Sequence, residues 1–234
     1  MIIERPAAAR GVVKLGWLHS RHTFSFGHYH DPDWMGFGLL RVINDDTVAP
    51  GGGFAPHRHA NMEILSVVLD GALAHADSAG HKGVIRPGDV QWMSAGHGIE
   101  HSEFNDSQTE PVHFLQIWIQ TDRLNAPPAY AQKHFAFDAR RARWALLASP
   151  DGADGSLAIR QQARLWATRL EAGDAVQREL VADRRYWLHV ARGEASLDGR
   201  MLGAGDALGF VGESGVLALA GRAATTDVLL FELP

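Results

Sequence analysis

His57-Arg58-His59 and, further along, His101-Ser102-Glu103 each place two metal-binding side chains at i and i+2. On a β-strand that spacing turns both members to one face and the middle residue to the other. Two such strands meeting across a barrel would bring three imidazoles and one carboxylate to a single point. That donor set suits one divalent transition metal cation, with coordination positions left open for a small ligand. The chain has no cysteine, which removes disulfides, zinc-thiolate sites and thiol chemistry together and leaves any metal to His, Asp and Glu.

The surrounding residues sharpen the pattern. Gly51 precedes His57 and Glu63 follows His59, giving G-x5-H-x-H-x3-E, with Gly71 closing the apolar run after it. The approach Gly51-Gly52-Gly53 permits a sharp change of chain direction before the ligand strand. Glu63 shares the parity of His57 and His59, so a continuous strand would turn it inward too. Two carboxylates then compete. With Glu103 as ligand, Glu63 orients a histidine; with Glu63 as ligand, Glu103 stands nearer the substrate as a base. Spacing does not choose between them.

Other histidines offer less. His28-Tyr29-His30 repeats HxH but runs into Asp31-Pro32 and reads as a loop or rim. His97 lies in a glycine-flanked turn, and His75, His81 and His113 have no partner at ligand spacing. His19 and His22, near Trp17, fit a pocket mouth or the surface. Trp17, Phe24, Phe26, Trp34, Phe37 and Trp92 read as core, with an aromatic ligand as the other use for some of them. Ser102 has no Ser-His-Asp context, and the GGGF run lacks the Gly-Lys-Ser/Thr of a phosphate-binding loop.

These side chains need strands to hold them, and strand signals are dense. FGLLRVIN (37–44), MEILSVVL (62–69), VHFLQIWIQ (112–120) and RYWLHVA (185–191) are short β-branched or aromatic runs bounded by Gly, Pro and Asp. Asp198-Gly199 is a two-residue hairpin turn, and Gly88-Asp89 and Gly205-Asp206 mark further turns. The expected class is all-β, as closed barrels or sandwiches with few short helices. NAPPAYAQKHF (125–135) reads as a linker, dividing the chain into domains at 1–128 and 129–234. A faint repeat relates them: residues 66–93 resemble 187–210, each with a strand ending at a glycine, Gly71 or Gly193, then a hairpin and a Gly-Asp turn. At the ligand positions the second copy carries Glu179, Val181, Arg185, Ala218 and Ala220. One metal per chain is therefore expected, in the first half, where eleven of the thirteen histidines lie.

Composition narrows the partners. A net charge of −5 without a basic block gives no support for nucleic acid. No apolar run approaches a membrane span and the N-terminus does not read as a secretory leader, so a cytoplasmic protein is expected. Nothing indicates an assembly, and a monomer is expected.

HTFSF (22–26), DPDWMGFGLLRVINDD (31–46), FAPHRHANMEILSVVLDG (54–71), MSAGHGIEHSEFN (93–105), LQIWI (115–119) and the terminal LLFELP resemble the cupin superfamily, and more closely the pirin-like bicupins. The likeness covers essentially the whole chain and is closest to bacterial pirin-like quercetin 2,3-dioxygenases. It implies two tandem cupin (jelly-roll) barrels, with the N-terminal strand packed on the second. It further implies His57, His59, His101 and Glu103 as ligands of one divalent ion (Fe, Cu, Ni, Mn, Co or Zn), Glu63 as an inner-face neighbour, and no metal in the second barrel. The activity implied is cleavage of the heterocyclic ring of a flavonol such as quercetin by O2, giving a depside and carbon monoxide. A redox-sensing regulatory protein, or a cupin enzyme with another small substrate, are the alternatives. One departure concerns the wider superfamily: Ser94-Ala95-Gly96 stands where general cupins have Pro-x-Gly.

Overall fold

The computed structural model describes all 234 residues as strands joined by turns, with three single-turn 3₁₀ segments at Ala7–Ala9, Asp138–Arg140 and Ala153–Gly155. No helix is long and apolar enough to cross a membrane. The first half carries β1 (Ile2–Arg5), β2 (Gly11–Lys14), β3 (Leu18–His22), β4 (Leu40–Val48), β5 (Gly53–His59) and β6 (Met62–Asp70). It continues with β7 (Leu73–Asp77), β8 (Lys82–Ile85), β9 (Asp89–Ser94), β10 (Ile99–Asn105), β11 (Val112–Gln120) and β12 (Ala129–His134). The second half carries β13 (Ala145–Ser149), β14 (Leu157–Ala158), β15 (Arg164–Leu170), β16 (Ala175–Leu180) and β17 (Arg185–Arg192). Last come β18 (Glu194–Leu197), β19 (Arg200–Gly203), β20 (Ala207–Val211), β21 (Gly215–Gly221) and β22 (Thr226–Leu233).

The chain forms two compact units. Residues 11–134 with 159–161 make one; residues 1–10, 135–158 and 162–234 make the other. The first is a sandwich of a seven-stranded sheet, β12-β9-β6-β11-β4-β3-β2, and a four-stranded sheet, β5-β10-β7-β8. Its central strand β6 is buried from Glu63 to Leu69, so it reads as a continuous apolar run rather than an alternating one, as a strand covered on both faces should. Leu18, Val48, Val68, Leu73, Ile85 and Phe114 fill one end of the interior. The opposite end is where polar residues gather.

The second unit has the same plan, with sheets β1-β20-β17-β22-β15-β13-β14 and β16-β21-β18-β19. Its apolar core is built from residues such as Leu188, Val190, Phe210, Leu219 and Leu230, with the buried Glu232 paired to Arg164 and Arg178. The repeat legible in the sequence has a structural reason. Gly71 and Gly193 both have positive φ, 78° and 74°. A Cβ on either would lie 2.6 Å from the Pro111 carbonyl oxygen or 2.1 Å from that of Thr225. Asp198 and Gly199, at φ 49° and 79°, join Leu197 to Arg200 as paired neighbours, the geometry a right-twisted hairpin favours.

The segment read as a linker is partly a strand. Ala129–His134 pairs along β9 from Tyr130↔Met93 to His134↔Asp89, and Pro127-Pro128 merely precede it, where their missing N–H groups break no ladder. The first unit thus extends to His134. β1 pairs with β20, Ile3 opposite Gly209.

Candidate metal centre

β5 and β10 run antiparallel with His57 opposite His101 and His59 opposite Ile99. The register then slips, so that Glu103 faces Phe54. The extra residue lies in β5 beside Pro56, which has no N–H to give to a ladder; a bulge there costs no hydrogen bond. The Ala55 carbonyl left near the bulge accepts from His57 Nδ1 at 2.9 Å. That bond fixes the proton on Nδ1 and leaves Nε2 as the lone pair for an ion.

The three imidazoles converge. Ring centroids lie 4.7 Å apart for His57–His59, 4.5 Å for His57–His101 and 4.8 Å for His59–His101. One ligand nitrogen from each falls within 4.8 Å of the others, and no other place in the chain gathers three such donors. Electrostatics keep His59 and His101 neutral. Burial, then the neighbouring imidazole of His57, depresses His59 to about 4. Burial, then His57, His59 and His75, takes His101 to about 2. Neutral imidazole is the form that ligates.

The fit to a metal rests on the nitrogens themselves. His101 is 2% exposed, and neither ring nitrogen has a hydrogen-bond partner. Buried polar atoms are nearly always paired; a cation between these rings would satisfy such a nitrogen. The residues therefore fit a borderline divalent ion, which imidazole suits.

Glu103 is not part of the tight nitrogen cluster but lines the same cavity. Gln116 Nε2 donates to its Oε2 at 2.6 Å. The Ser66 hydroxyl lies 3.2 Å from its Oε1 and 2.9 Å from Gln116 Oε1. Burial raises the Glu103 carboxyl, against the opposing effects of Gln116, His57 and Ser66. Gln116 and Ser66 went unrecognised in the sequence, although both are polar residues interrupting apolar strands at inward-facing positions.

Glu63 is elsewhere, and its reading as an inner-face neighbour of the ligands is corrected. β5 ends at His59, and Asn61, at φ 54°, turns the chain into β6 of the other sheet. Parity does not survive that turn. Ser66 marks the inward face of β6, so Glu63 lies on the opposite one. There it is fully buried and accepts from Trp92 Nε1 at 2.7 Å, Ser94 Oγ at 2.7 Å and the Arg160 backbone N–H at 3.1 Å.

His75 moves the other way. It sits opposite Glu103 in register, 4% exposed, with its ring 5.3 Å from that of His101 and stacked on Tyr130. The partnerless spacing in the sequence concealed this because β7 reaches the site through a different hairpin. His75-x-Asp77 carries the same i, i+2 alternation and was the available signal. His81, His113 and His134 each pair with a carboxylate, Asp77, Asp45 and Asp89 respectively. His28 and His30 are exposed. Phe24, Phe37 and Trp92 are core, whereas Phe26 lines the cavity.

That cavity has a volume of about 140 Å³. Phe26, Phe54 and Trp118 form its aromatic side, with Phe26 edge-on to Trp118 at 5.2 Å. Asn44, Asp46 and Gln116 form its polar side, and His57, His59 and Glu103 complete it. A wider cleft of about 610 Å³, lined by Arg58, Ser78, His97 and Glu100, also reaches His59.

Comparison with known proteins agrees with this geometry. Residues 5–119 match the family model described as Pirin, and residues 146–233 match that of the Quercetinase C-terminal cupin domain. The chain is 42% identical to a protein of Escherichia coli K12 named quercetin 2,3-dioxygenase, over 100% of this chain and 99% of that one. A protein of Mycobacterium tuberculosis H37Rv named putative quercetin 2,3-dioxygenase is 46% identical over 88% of this chain and 85% of its own. Among solved structures, the bacterial pirin YhhW of Escherichia coli in complex with nickel(II) superposes with a TM-score of 0.92 at 41% identity, covering 100% of this chain and 99% of that one.

Proposed function

The chain belongs to the pirin family, and on that premise we propose that it is a metal-dependent dioxygenase that opens the heterocyclic ring of a flavonol such as quercetin with O2, releasing a depside and carbon monoxide. The observation that carries the reading is the convergence of His57, His59 and His101, with His101 buried and both its ring nitrogens unpartnered, beside an aromatic-walled cavity. We assign these three and Glu103 as the ligands of one divalent cation, in keeping with the nickel(II) held by the relative YhhW. When bound, such an ion supplies Lewis acidity that favours the ionised 3-hydroxyl of a flavonol and a site where O2 and substrate meet.

The protein's own residues do the rest. Ala55 holds the His57 tautomer, and Gln116 with Ser66 aims the Glu103 carboxyl. Phe26, Phe54 and Trp118 present an apolar, aromatic lining to an aromatic ring and keep water away from it. The cavity is small beside the roughly 300–1,000 Å³ usual for organic ligands. One ring of the flavonol fits within it, and the others extend through its mouth.

The test is aerobic incubation of the protein, loaded separately with iron, nickel, copper, cobalt and manganese, with quercetin. Loss of the flavonol absorption band with matching release of carbon monoxide is expected, abolished together with bound metal in His101→Ala. Absence of turnover with every ion, in protein shown to hold it, would reject the assignment.

A further inference from the structure

Asn44 and Asp46, on the polar side of the cavity, have no task in holding a metal. Asn44 and Asp46 share one face of β4, and Gln116 lies opposite Asn44 in β11. Gln116 is fully engaged, donating to Glu103 and accepting from Ser66. Its neighbours each keep one oxygen open, although Ser20 also bonds the Asp46 carboxyl. Asn44 and Asp46 are each 3% exposed, and Oδ1 of both is buried without a hydrogen-bond partner. A third such atom, Trp118 Nε1, belongs to the aromatic side of the same cavity.

Folded chains leave few buried polar atoms unpaired. Three around one cavity mark a place where a ligand completes the bonding. Two are acceptors on adjacent inward positions of one strand, so that edge of the ligand must bring donors. The third is an indole N–H, which needs an acceptor. Burial, reinforced by the charges of Asp45 and Glu103 and opposed by Ser20, raises the Asp46 carboxyl to about 7. A carboxyl in that range still offers an acceptor oxygen in either protonation state.

Building on the flavonol reading, the structure assigns Asn44 and Asp46 as a hydroxyl-reading subsite. They accept from ring hydroxyls of a polyhydroxylated aromatic, other than the one directed at the histidines, while Trp118 Nε1 donates to a ring or carbonyl oxygen. They are specificity-determining residues. An apolar slot rejects an analogue lacking a hydroxyl only weakly, whereas a site with buried acceptors left unpaired rejects it by ~10⁴-fold or more. With part of the ligand outside the cavity, a preference of about 10²-fold is expected here.

The experiment is equilibrium titration of the full-length protein by tryptophan fluorescence, under anaerobic conditions, with and without nickel(II). The probes are quercetin and its analogues lacking or methylated at one hydroxyl at a time. The wild type should prefer quercetin by about 10²-fold over at least one analogue. Asp46→Ala and Asn44→Ala should bring that ratio below about tenfold. Asp46→Asn, which keeps an acceptor oxygen, should retain most of it. A wild type without preference, a ratio unaltered in both alanine variants, or equal weakening of every compound would overturn the assignment. Turnover measured in parallel separates the two readings. Discrimination without turnover rejects the dioxygenase and leaves the subsite; turnover without discrimination rejects the subsite alone.

Discussion

Replacing Glu63 separates architecture from chemistry more cleanly than any change at the ligands. Its carboxyl, fully buried, receives Trp92 Nε1, Ser94 Oγ and the Arg160 N–H. Glu63→Ala strips all three donors of their acceptor inside the protein, at about 1–3 kcal/mol each. Ser94 keeps only its acceptor role, to Arg160 NH1 at 3.0 Å, and its own O–H is left unpaired. The void left behind adds to the loss. A net destabilisation of roughly 4–6 kcal/mol follows, large against the ~5–15 kcal/mol that holds a domain folded. At about 2–4 °C per kcal/mol for a chain of this length, the melting temperature should fall by roughly 10–20 °C. Glu63→Gln should cost less than about 1.5 kcal/mol. Its amide oxygen can occupy the Oε2 position, which serves both Trp92 and Arg160, and its NH₂ can donate to Ser94. The assay is scanning calorimetry of the three proteins beside metal analysis of the folded fraction below the transition, where metal per molecule should not change. If Glu63→Ala melts with the wild type and loses its metal instead, the carboxyl serves the site and the reasoning from strand parity is wrong.

Two further outcomes test other parts of the description. Gln116→Leu removes the donor that aims Glu103 and should weaken metal affinity by about 10–100-fold with the fold intact, read by competition against a chelating dye. The Asp46 carboxyl, raised from 3.8 to about 7 by burial, holds its proton in the folded state after the unfolded chain has lost it. Its stabilising contribution is therefore complete below pH ~4 and lost as pH rises towards 7, by on the order of 4 kcal/mol. Urea unfolding of metal-free protein should show the stability difference between Asp46→Asn and wild type shifting in favour of the variant across that window; a pH-independent difference would refute the buried, elevated carboxyl.

What was legible in the sequence follows from alternation on single strands. His57 with His59, and His101 with Glu103, each lie on one strand, so i and i+2 sufficed to place them on a common face. The glycines at 71 and 193 were equally readable, since the backbone there leaves no room for a side chain. Legibility ended wherever the answer depended on which strand meets which. Parity carried Glu63 inward until Asn61 turned the chain into another sheet. His75 was invisible as a neighbour because only the β7–β10 pairing brings it beside His101. Asn44 closed the strand read at 37–44 and Asp46 fell just beyond it; only the closed barrel shows them facing inward. The strand β12 was hidden behind Pro127-Pro128, which mark a break but not the edge strand that begins immediately after.

The division of the chain leaves residues 159–161 with the first unit, although most of their sequence neighbours belong to the second. Arg160 is the piece that meets Glu63, and Gln161 reaches the Gln120 carbonyl at 2.8 Å. Order of synthesis therefore matters. A nascent chain paused after His134 presents every proposed ligand, yet one buried carboxyl still lacks its backbone donor until codon 160 is read. Domains emerging from the ribosome usually fold one after the other; here the earlier one waits on three of its own residues that are made only after residues 135–158 of the other. A fragment cut at the apparent midpoint would inherit the metal donors without that closing clasp.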